Sequence, residues 1–114
     1  MTDTTINNEE LLAAIDTGDV VVVEALPASY YAEGHLPGAH NLALDDLHRL
    51  AGEVIPRTDQ PVVTYCTGPT CSNSHQAAER LRALGYTDVR VYAEGKDGWR
   101  AAGLPLETET QPAH

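Results

Sequence analysis

Apolar residues cluster along the chain in patterns that predict three buried strands. Residues 20–23 are all valine, and a second apolar run covers Val62–Tyr65. Unbroken β-branched runs of this length, bounded by turn residues, are typical of parallel strands that are buried on both faces. Val89 and Val91 alternate with the charged Arg90, which predicts a third strand further along the chain.

Amphipathic segments separate the predicted strands and predict helices. Asn7 and Glu10 have the spacing of a capping box at the start of the first helix, which Gly18 ends. Four further helices are predicted, over residues 27–33, 44–54, 73–84 and 98–102. Strands that alternate with helices favour an α/β fold with a mostly parallel central sheet.

Length and composition agree with a single domain. The chain has 114 residues, of which 42% are apolar, and this is too short for two domains. The sequence shows no repeat and no internal linker, so we predict one domain over residues 5–106 with loose tails at 1–4 and 107–114. A chain of this size can bury a sufficient core without a disulfide framework, which two cysteines would not provide.

The acidic balance of the chain excludes several classes of partner. Seventeen Asp and Glu residues against seven Lys and Arg residues leave a net charge of -10. The negative field repels polyanions, so we expect neither nucleic acid nor an anionic membrane surface as a partner. Since the sequence shows no signal-peptide pattern and no apolar run of about 20 residues, we expect a soluble cytoplasmic protein with reduced thiols.

The candidate chemistry is concentrated in one loop, residues 65–72, with the sequence YCTGPTCS. Cys66 falls at the carboxyl end of a predicted parallel strand, where open α/β sheets bind ligands. Small residues before a helix can turn several backbone N–H groups toward one point and form an anion-binding nest. Such a nest lowers the pKa of a thiol and would make Cys66 a nucleophile; the alternative is an inert, buried cysteine.

This loop and two other segments resemble the rhodanese-like (sulfurtransferase) homology domain, in a single-domain form with a C-x4-C active loop. Residues 24–39 read EALPASYYAEGHLPGA and are similar to the first signature of that family, which ends in G-H-I-P-G-A. The closing segment of the family is matched by Gly95, Gly98, Trp99, Gly103, Leu104 and Pro105. Together the matched segments span residues 5–106.

The resemblance implies a three-layer fold and a cysteine that carries sulfur. The expected fold has a mostly parallel five-stranded sheet flanked by helices, and Cys66 would form a persulfide with sulfur from thiosulfate or another persulfide. A thiol or cyanide would then accept the sulfur, so the expected partners are a small-molecule donor and acceptor or a protein persulfide, with no cofactor and no metal. Pro69 has no N–H group. The loop residues whose N–H groups would hold the anion are Thr67, Gly68, Thr70, Cys71 and Ser72.

The loop differs in sequence from the active-site loops of phosphatases of this fold and of many thiosulfate-using family members. Phosphatases of this fold need a cysteine, five residues and then an arginine, and this chain has Ser72 at the arginine position. Phosphatase and arsenate reductase chemistry are therefore not expected. The loop also lacks the Arg or Lys of many thiosulfate-using members, so we expect thiosulfate to bind weakly and neutral or protein-borne persulfides to be better donors.

The first signature also departs from the family at three positions. Glu24 stands where the family has Asp, Leu26 where it has Arg, and Tyr30 where it often has Glu. Because a cation and an anion are lost together, we expect the exchange at 26 and 30 to be nearly neutral for stability.

Cys71 leaves more than one interpretation open. As a functional residue it would resolve a persulfide or a sulfenic acid on Cys66 through a transient disulfide, and a dithiol redox protein would use the same pair. As a structural residue it would only pack beneath the loop. A third hypothesis is a catalytically silent module that binds a partner, which the missing loop cation and Pro69 favour.

Two histidines lie in or near the matched segments. His75 follows Cys71 by one helical turn, but Cys66, Cys71 and His75 have no fourth ligand nearby, so we do not predict a zinc site. We expect His75 to be solvated, with an influence on the thiolate as the alternative. His35 is expected to be a hydrogen-bonded structural residue.

Four other side chains are candidates for packing or for charge near the site. Tyr65 and Trp99 are expected to pack against the sheet. Lys96 and Arg100 are the cations nearest the last predicted helix. They either lean over the loop or lie on a solvated face.

Overall fold

The structure is a computed structural model that describes residues 5–108. Four parallel strands form its centre. The strands are β1 (Val21–Glu24), β2 (His40–Asn41), β3 (Val62–Tyr65) and β4 (Val89–Tyr92). They lie in the order β2-β1-β3-β4, and every neighbouring pair is parallel. Because the strands run the same way, the residues that follow them gather at one edge of the sheet.

Helices within the described residues cover the sheet: α1 (Asn8–Thr17), α2 (Ala28–Glu33), α3 (Leu47–Val54), α4 (Asn73–Ala83) and α5 (Gly95–Ala101). The capping box at α1 is confirmed, since the Asn7 side chain accepts from the N–H of Glu10 at 2.8 Å and the Glu10 carboxylate accepts from the N–H of Asn7 at 3.1 Å. Gly18 ends the helix as predicted. None of these helices is long and apolar enough to cross a membrane.

Alternate residues of the inner strands face two separate cores. Val23 and Val62 pack on one face with buried residues of α3 and α4. Val22 and Val63 pack on the other face with buried residues of α1 and with Trp99 of α5. Helices on both faces of a parallel sheet confirm the predicted α/β class and its three layers.

The sheet has four strands within residues 5–108, so for this part of the chain the five strands implied by the resemblance are wrong. Thr5 makes only an isolated parallel bridge to Val91, and the N–H of Ile6 donates to the carbonyl of Val91 at 3.0 Å. The pairing stops there because the chain turns into α1 at Asn8.

The C-terminal boundary lies further along the chain than predicted. His35 and Glu107 form an isolated antiparallel bridge and exchange two backbone hydrogen bonds of 2.8 Å. Glu107 is therefore tied to the domain and is not part of a loose tail. Residues 1–4 and 109–114, which were also predicted as tails, lie outside the described residues.

The last helix differs from its predicted position. It begins at Gly95, three residues before the predicted start at 98. Gly95 has a φ of 63°, and a Cβ at this position would come within 2.5 Å of the carbonyl oxygen of Cys66. Only glycine lets the chain enter α5 at this distance from the loop after β3. Elsewhere, β2 was not predicted, and residues 44–46 form a 3-10 turn before α3.

Replacing Gly95 should therefore be much more damaging than replacing a glycine with free space around it. We expect Gly95→Ala to lower the free energy of unfolding by about 3 kcal/mol or more, because a left-handed backbone and a clash with the Cys66 carbonyl combine. Gly85 has a φ of 105° with nothing within 4 Å of an added Cβ, so Gly85→Ala should lose only about 1–2 kcal/mol. Urea denaturation measures both variants. Equal losses would show that the close approach to Cys66 is unimportant.

Candidate functional site

Cys66 directly follows β3 and lies beneath the loop that leads to α4. The residue is 1% exposed. Its Sγ donates to the carbonyl oxygen of Cys71 at 3.3 Å and lies 3.5 Å from the Oγ of Ser74, the second residue of α4. The sulfur is therefore held between an inner strand of the sheet and the first turn of a helix.

The start of α5 holds this loop from the other side. The N–H of Lys96 donates to the carbonyl of Cys66 at 3.0 Å, and the N–H of Asp97 donates to the carbonyl of Thr67 at 2.8 Å. Within the loop, the N–H of Cys71 donates to the carbonyl of Gly68 at 3.1 Å and closes a turn. Backbone groups thus fix the loop conformation, and its own side chains remain available for other contacts.

Polar groups of the loop and of α4 affect the acidity of both thiols. Contacts with Asn73 and Thr67 act to lower the pKa of Cys71. Contacts with Ser74 act to lower the pKa of Cys66. That Thr67, Gly68, Thr70, Cys71 and Ser72 hold an anion at Cys66 stays a prediction.

The other residues predicted to hold the anion differ in how exposed they are. Gly68 is buried, and Thr70 and Ser72 are exposed. The hydroxyl of Ser72 accepts from the Nε2 of Gln76 at 3.1 Å. The role of Ser74 was not predicted from the sequence. Its place in the first turn of α4, where helix N–H groups lack partners within the helix, is the signal that would have identified it.

The two thiols differ in acidity. Burial raises the pKa of Cys66 and the thiol of Cys71 raises it further, against the opposing contacts of Ser74. Burial also raises the pKa of Cys71, but the contacts with Cys66, Asn73 and Thr67 outweigh this effect and lower it. The predicted lowering of the Cys66 pKa is therefore wrong for the resting site, whereas the pKa of Cys71 lies below its ordinary value.

Selective alkylation should reveal this order. At neutral pH we expect iodoacetamide to label Cys71 before Cys66, because Cys71 is half-buried with a lowered pKa and Cys66 is almost fully buried with a raised one. Labelling of Cys71 should also persist to lower pH than labelling of an ordinary cysteine with a pKa of about 8.5.

The measurement is brief labelling of the wild-type protein followed by fragment mass spectra that separate the two positions. The unfolded protein is the control, in which both cysteines should react alike. Earlier labelling of Cys66 in the folded protein would contradict the assignment.

A buried ion pair lies below the loop. Glu24, at the end of β1, is 0% exposed, and its Oε2 lies 3.0 Å from the Nζ of Lys96, which is 4% exposed. The Oε1 of Glu24 accepts from the hydroxyl of Tyr65 at 2.7 Å, and that hydroxyl accepts from the N–H of Leu36 at 3.0 Å. Lys96 also donates to the carbonyl of Tyr30 at 2.7 Å. The network joins β1, β3, α5 and the chain around α2.

The sequence led us to expect that Lys96 either leans over the loop or lies on a solvated face, and it does neither. It is buried and supplies a cation to Glu24, next to a signature in which Leu26 stands at the family's arginine position. Arg100 lies on a solvated face, where its Nη1 is 3.6 Å from the Oδ1 of Asp97. A buried carboxylate at the end of an apolar strand needs a nearby cation. Glu24, directly after the valine run, is therefore the feature of the sequence from which a buried cation such as Lys96 could have been predicted.

Removing Lys96 should expose the dependence of Glu24 on its partner. We expect Lys96→Met to lower the free energy of unfolding by about 3 kcal/mol at neutral pH, because the buried carboxylate loses its cation.

Burial raises the pKa of Glu24 above 4.5 despite its hydrogen bonds to Tyr65 and Lys96. The stability linked to this group is therefore complete below pH 4.5 and falls as pH rises through the folded-state pKa. The loss in the variant should accordingly shrink toward acid pH.

A double variant provides the control for this prediction. Glu24→Gln with Lys96→Met removes both charges and keeps an oxygen that accepts from Tyr65. It should recover most of the stability lost in Lys96→Met when both are compared by urea denaturation at neutral pH. If the double variant is as unstable as the single one, charge pairing is not what Lys96 contributes.

Carboxylates border the loop. A Cβ on Gly68 would come within 2.7 Å of the Oδ2 of Asp97, so that carboxylate rests against the loop backbone. A cavity of about 150 Å³ lies beside the loop, with Asp45 and Asn73 in its lining. Asn73 also donates from its side chain to the carbonyl of Ala25 at 3.0 Å. Two carboxylates therefore lie near the loop, in a chain whose net charge is -10.

The remaining predicted residues have mainly structural contacts. His35 is buried, its Nδ1 lies 2.9 Å from the carbonyl oxygen of Tyr31, and the two rings stack at 3.8 Å. Trp99 is buried and donates from Nε1 to the carbonyl of Pro105 at 2.8 Å. His75 is half-buried on α4. Among residues 5–108, no three His, Cys, Asp or Glu side chains are grouped so as to hold a metal ion.

Comparison with known proteins identifies relatives along almost the whole chain. A family model described as a rhodanese-like domain matches residues 7–102. The HTH-type transcriptional regulator Rv0324 of Mycobacterium tuberculosis is 32% identical over 109 residues, which cover 96% of this chain and 47% of the regulator. The uncharacterized protein YibN of Escherichia coli is 30% identical over 103 residues, which cover 89% of this chain and 70% of YibN. The chain thus spans about half the length of the regulator.

Solved structures share the fold. The BH2092 protein from Bacillus halodurans has a TM-score of 0.84 and 24% identity, and the match covers 93% of this chain and 77% of that protein. The thiosulfate sulfurtransferase from Pseudomonas aeruginosa has a TM-score of 0.83 and 24% identity, and the match covers 93% of this chain and 20% of that enzyme. At this identity the likeness establishes the architecture.

Proposed function

Because the chain belongs to the rhodanese-like domain family, we propose that it is a sulfurtransferase that carries sulfane sulfur as a persulfide on Cys66. The main support is the position of this free cysteine at the carboxyl end of an inner parallel strand, against the first turn of α4. An anionic sulfur at this position receives the N–H and hydroxyl of Ser74 and lies at the positive end of the helix.

The proposal requires Cys66 to lose its proton before it reacts. The proton leaves to solvent. The hydroxyl of Ser74, 3.5 Å from the Sγ, and the N–H groups at the start of α4 then stabilise the thiolate.

The sulfur then moves in two displacement steps. The Cys66 thiolate attacks the outer sulfur of the donor, and with thiosulfate the S–S bond breaks and sulfite leaves with the electron pair. Cys66 now carries the persulfide. A thiol or cyanide acceptor attacks the outer sulfur of this persulfide, and Cys66 leaves as the thiolate, ready for another cycle.

The charges around the loop favour donors that carry little negative charge. Asp97 rests against Gly68, and Asp45 lines the neighbouring cavity. A dianion such as thiosulfate is repelled by these groups and by the overall charge of -10. A persulfide that bears an amine, or one carried on another protein, does not meet this barrier and is the preferred donor.

Sulfur loading from two donors of different charge tests the proposal. After brief incubation with thiosulfate or with cysteamine persulfide and immediate acid quenching, intact mass spectrometry of the wild-type protein should show one added sulfur. Loading from cysteamine persulfide should be faster, because its ammonium group suits the carboxylates around the loop. This advantage should shrink as salt concentration rises, since salt screens exposed charges.

Three variants make the result decisive. Cys66→Ser should carry no sulfur, and an adduct retained in this variant would overturn the proposal. Asp97→Asn should load faster from thiosulfate than the wild type, whereas Glu53→Gln, which removes an exposed carboxylate of α3, should not.

A second candidate function is a catalytically silent module that binds a partner. The similarity of this chain to part of a transcriptional regulator favours it. Absence of a sulfur adduct from either donor, together with the reactivity of an ordinary thiol at Cys66, would support this candidate over the sulfurtransferase.

A further inference from the structure

The geometry points to Cys71 as a second reacting residue of this site, which removes the sulfur carried on Cys66 as hydrogen sulfide and leaves a Cys66–Cys71 disulfide. The inference rests on the proposed persulfide and extends it. Transfer to an external acceptor is then one of two outcomes for the bound sulfur, and internal release is the other.

The positions of the two cysteines support this reaction. The Sγ of Cys66 lies 3.3 Å from the carbonyl oxygen of Cys71, an atom only two bonds from the Cα of Cys71. The N–H of Cys71 donates to the carbonyl of Gly68 and closes a turn in the short loop between the two cysteines. A disulfide needs Cα atoms within about 7 Å of each other, and a sulfur in contact with the backbone of its partner is close to meeting that requirement.

The exposure of Cys71 suits a reacting residue better than a packing one. The residue is half-buried, whereas Cys66 is almost fully buried. Contacts with Asn73 and Thr67 lower its pKa, whereas a cysteine that only filled space beneath the loop would lie in apolar surroundings.

The reaction balances without any further oxidant. The Cys71 thiolate attacks the Sγ of the Cys66 persulfide, a new S–S bond forms between the cysteines, and the bond to the outer sulfur breaks. That sulfur leaves with the electron pair as hydrosulfide. The sulfane sulfur is reduced to sulfide, and the two cysteine sulfurs are oxidised to the disulfide.

The disulfide must then be reduced before the site can accept sulfur again. Two equivalents of a small thiol, or one dithiol, reduce it by thiol–disulfide exchange. The net reaction of the complete cycle converts a persulfide and two thiols into a thiol, hydrogen sulfide and a disulfide. A persulfide donor and a thiol reductant are therefore the substrate classes that this inference assigns to the protein.

A single-turnover experiment tests the inference. The reduced wild-type protein and Cys71→Ser are each treated with one equivalent of cysteamine persulfide, desalted rapidly and held without reductant. Sulfide release and intact protein mass are followed with time.

In the wild type we expect one equivalent of sulfide and a protein that has lost two hydrogens. In Cys71→Ser we expect the added sulfur to remain, with a lifetime longer by roughly a hundredfold, because the neighbouring thiol is gone. Cys71→Ala should behave as Cys71→Ser does.

The other outcomes are distinguishable. If the wild type and both Cys71 variants keep their sulfur equally long, the inference is wrong and the proposed sulfurtransferase stands. If no protein takes up sulfur, the proposed function fails, and the inference fails with it. If Cys66→Ser takes up sulfur on Cys71, the two cysteines have the opposite roles and the inference is overturned.

Discussion

The buried carboxylate of Glu24 is the constraint on which the region around the loop depends. It is fully enclosed at the end of β1, so its charge must be met by groups that the fold brings from elsewhere. Tyr65 comes from the strand that leads to Cys66, and Lys96 comes from the helix whose backbone holds the loop. Satisfying one carboxylate therefore fixes the relative positions of β1, β3 and α5. The loop that carries the thiols is supported on this arrangement.

The proposed function places a second electrostatic requirement on the loop. A sulfur anion on Cys66 would have to be held in a chain whose net charge is -10, next to the carboxylate of Asp97. The polar group in contact with this sulfur is the neutral hydroxyl of Ser74. Neutral dipoles stabilise an anion at short range and contribute little to the field further away. A site of this kind would hold a monoanion without attracting dianions from solution.

Local features of the fold were predictable from the sequence, and features that depend on distant contacts were not. The capping box at Asn7, the stop at Gly18 and the buried strand at Val62–Tyr65 follow from neighbouring residues and were predicted correctly. The start of α5 was misplaced because the N–H groups of Lys96 and Asp97 bind carbonyls of the loop after β3, which no local pattern shows.

The candidate site likewise has features that the sequence predicted and features that only the folded structure shows. The motif and its place after a strand identified Cys66 and the loop from the sequence. The partners of Cys66 depend on how the loop folds back, so its contacts with the carbonyl of Cys71 and the hydroxyl of Ser74 appear only in three dimensions. Burial of Cys66, which raises its pKa, is likewise a property of packing and not of the motif.

The pairing of Glu24 with Lys96 also bears on which substitutions the chain can accept. The carboxylate comes from β1 and its cation from α5, near the other end of the sequence. A change that removes the cation alone leaves a carboxylate unpaired in the core, whereas a change that removes both charges leaves none unpaired. We therefore expect the two positions to be replaced together, although they lie far apart along the chain.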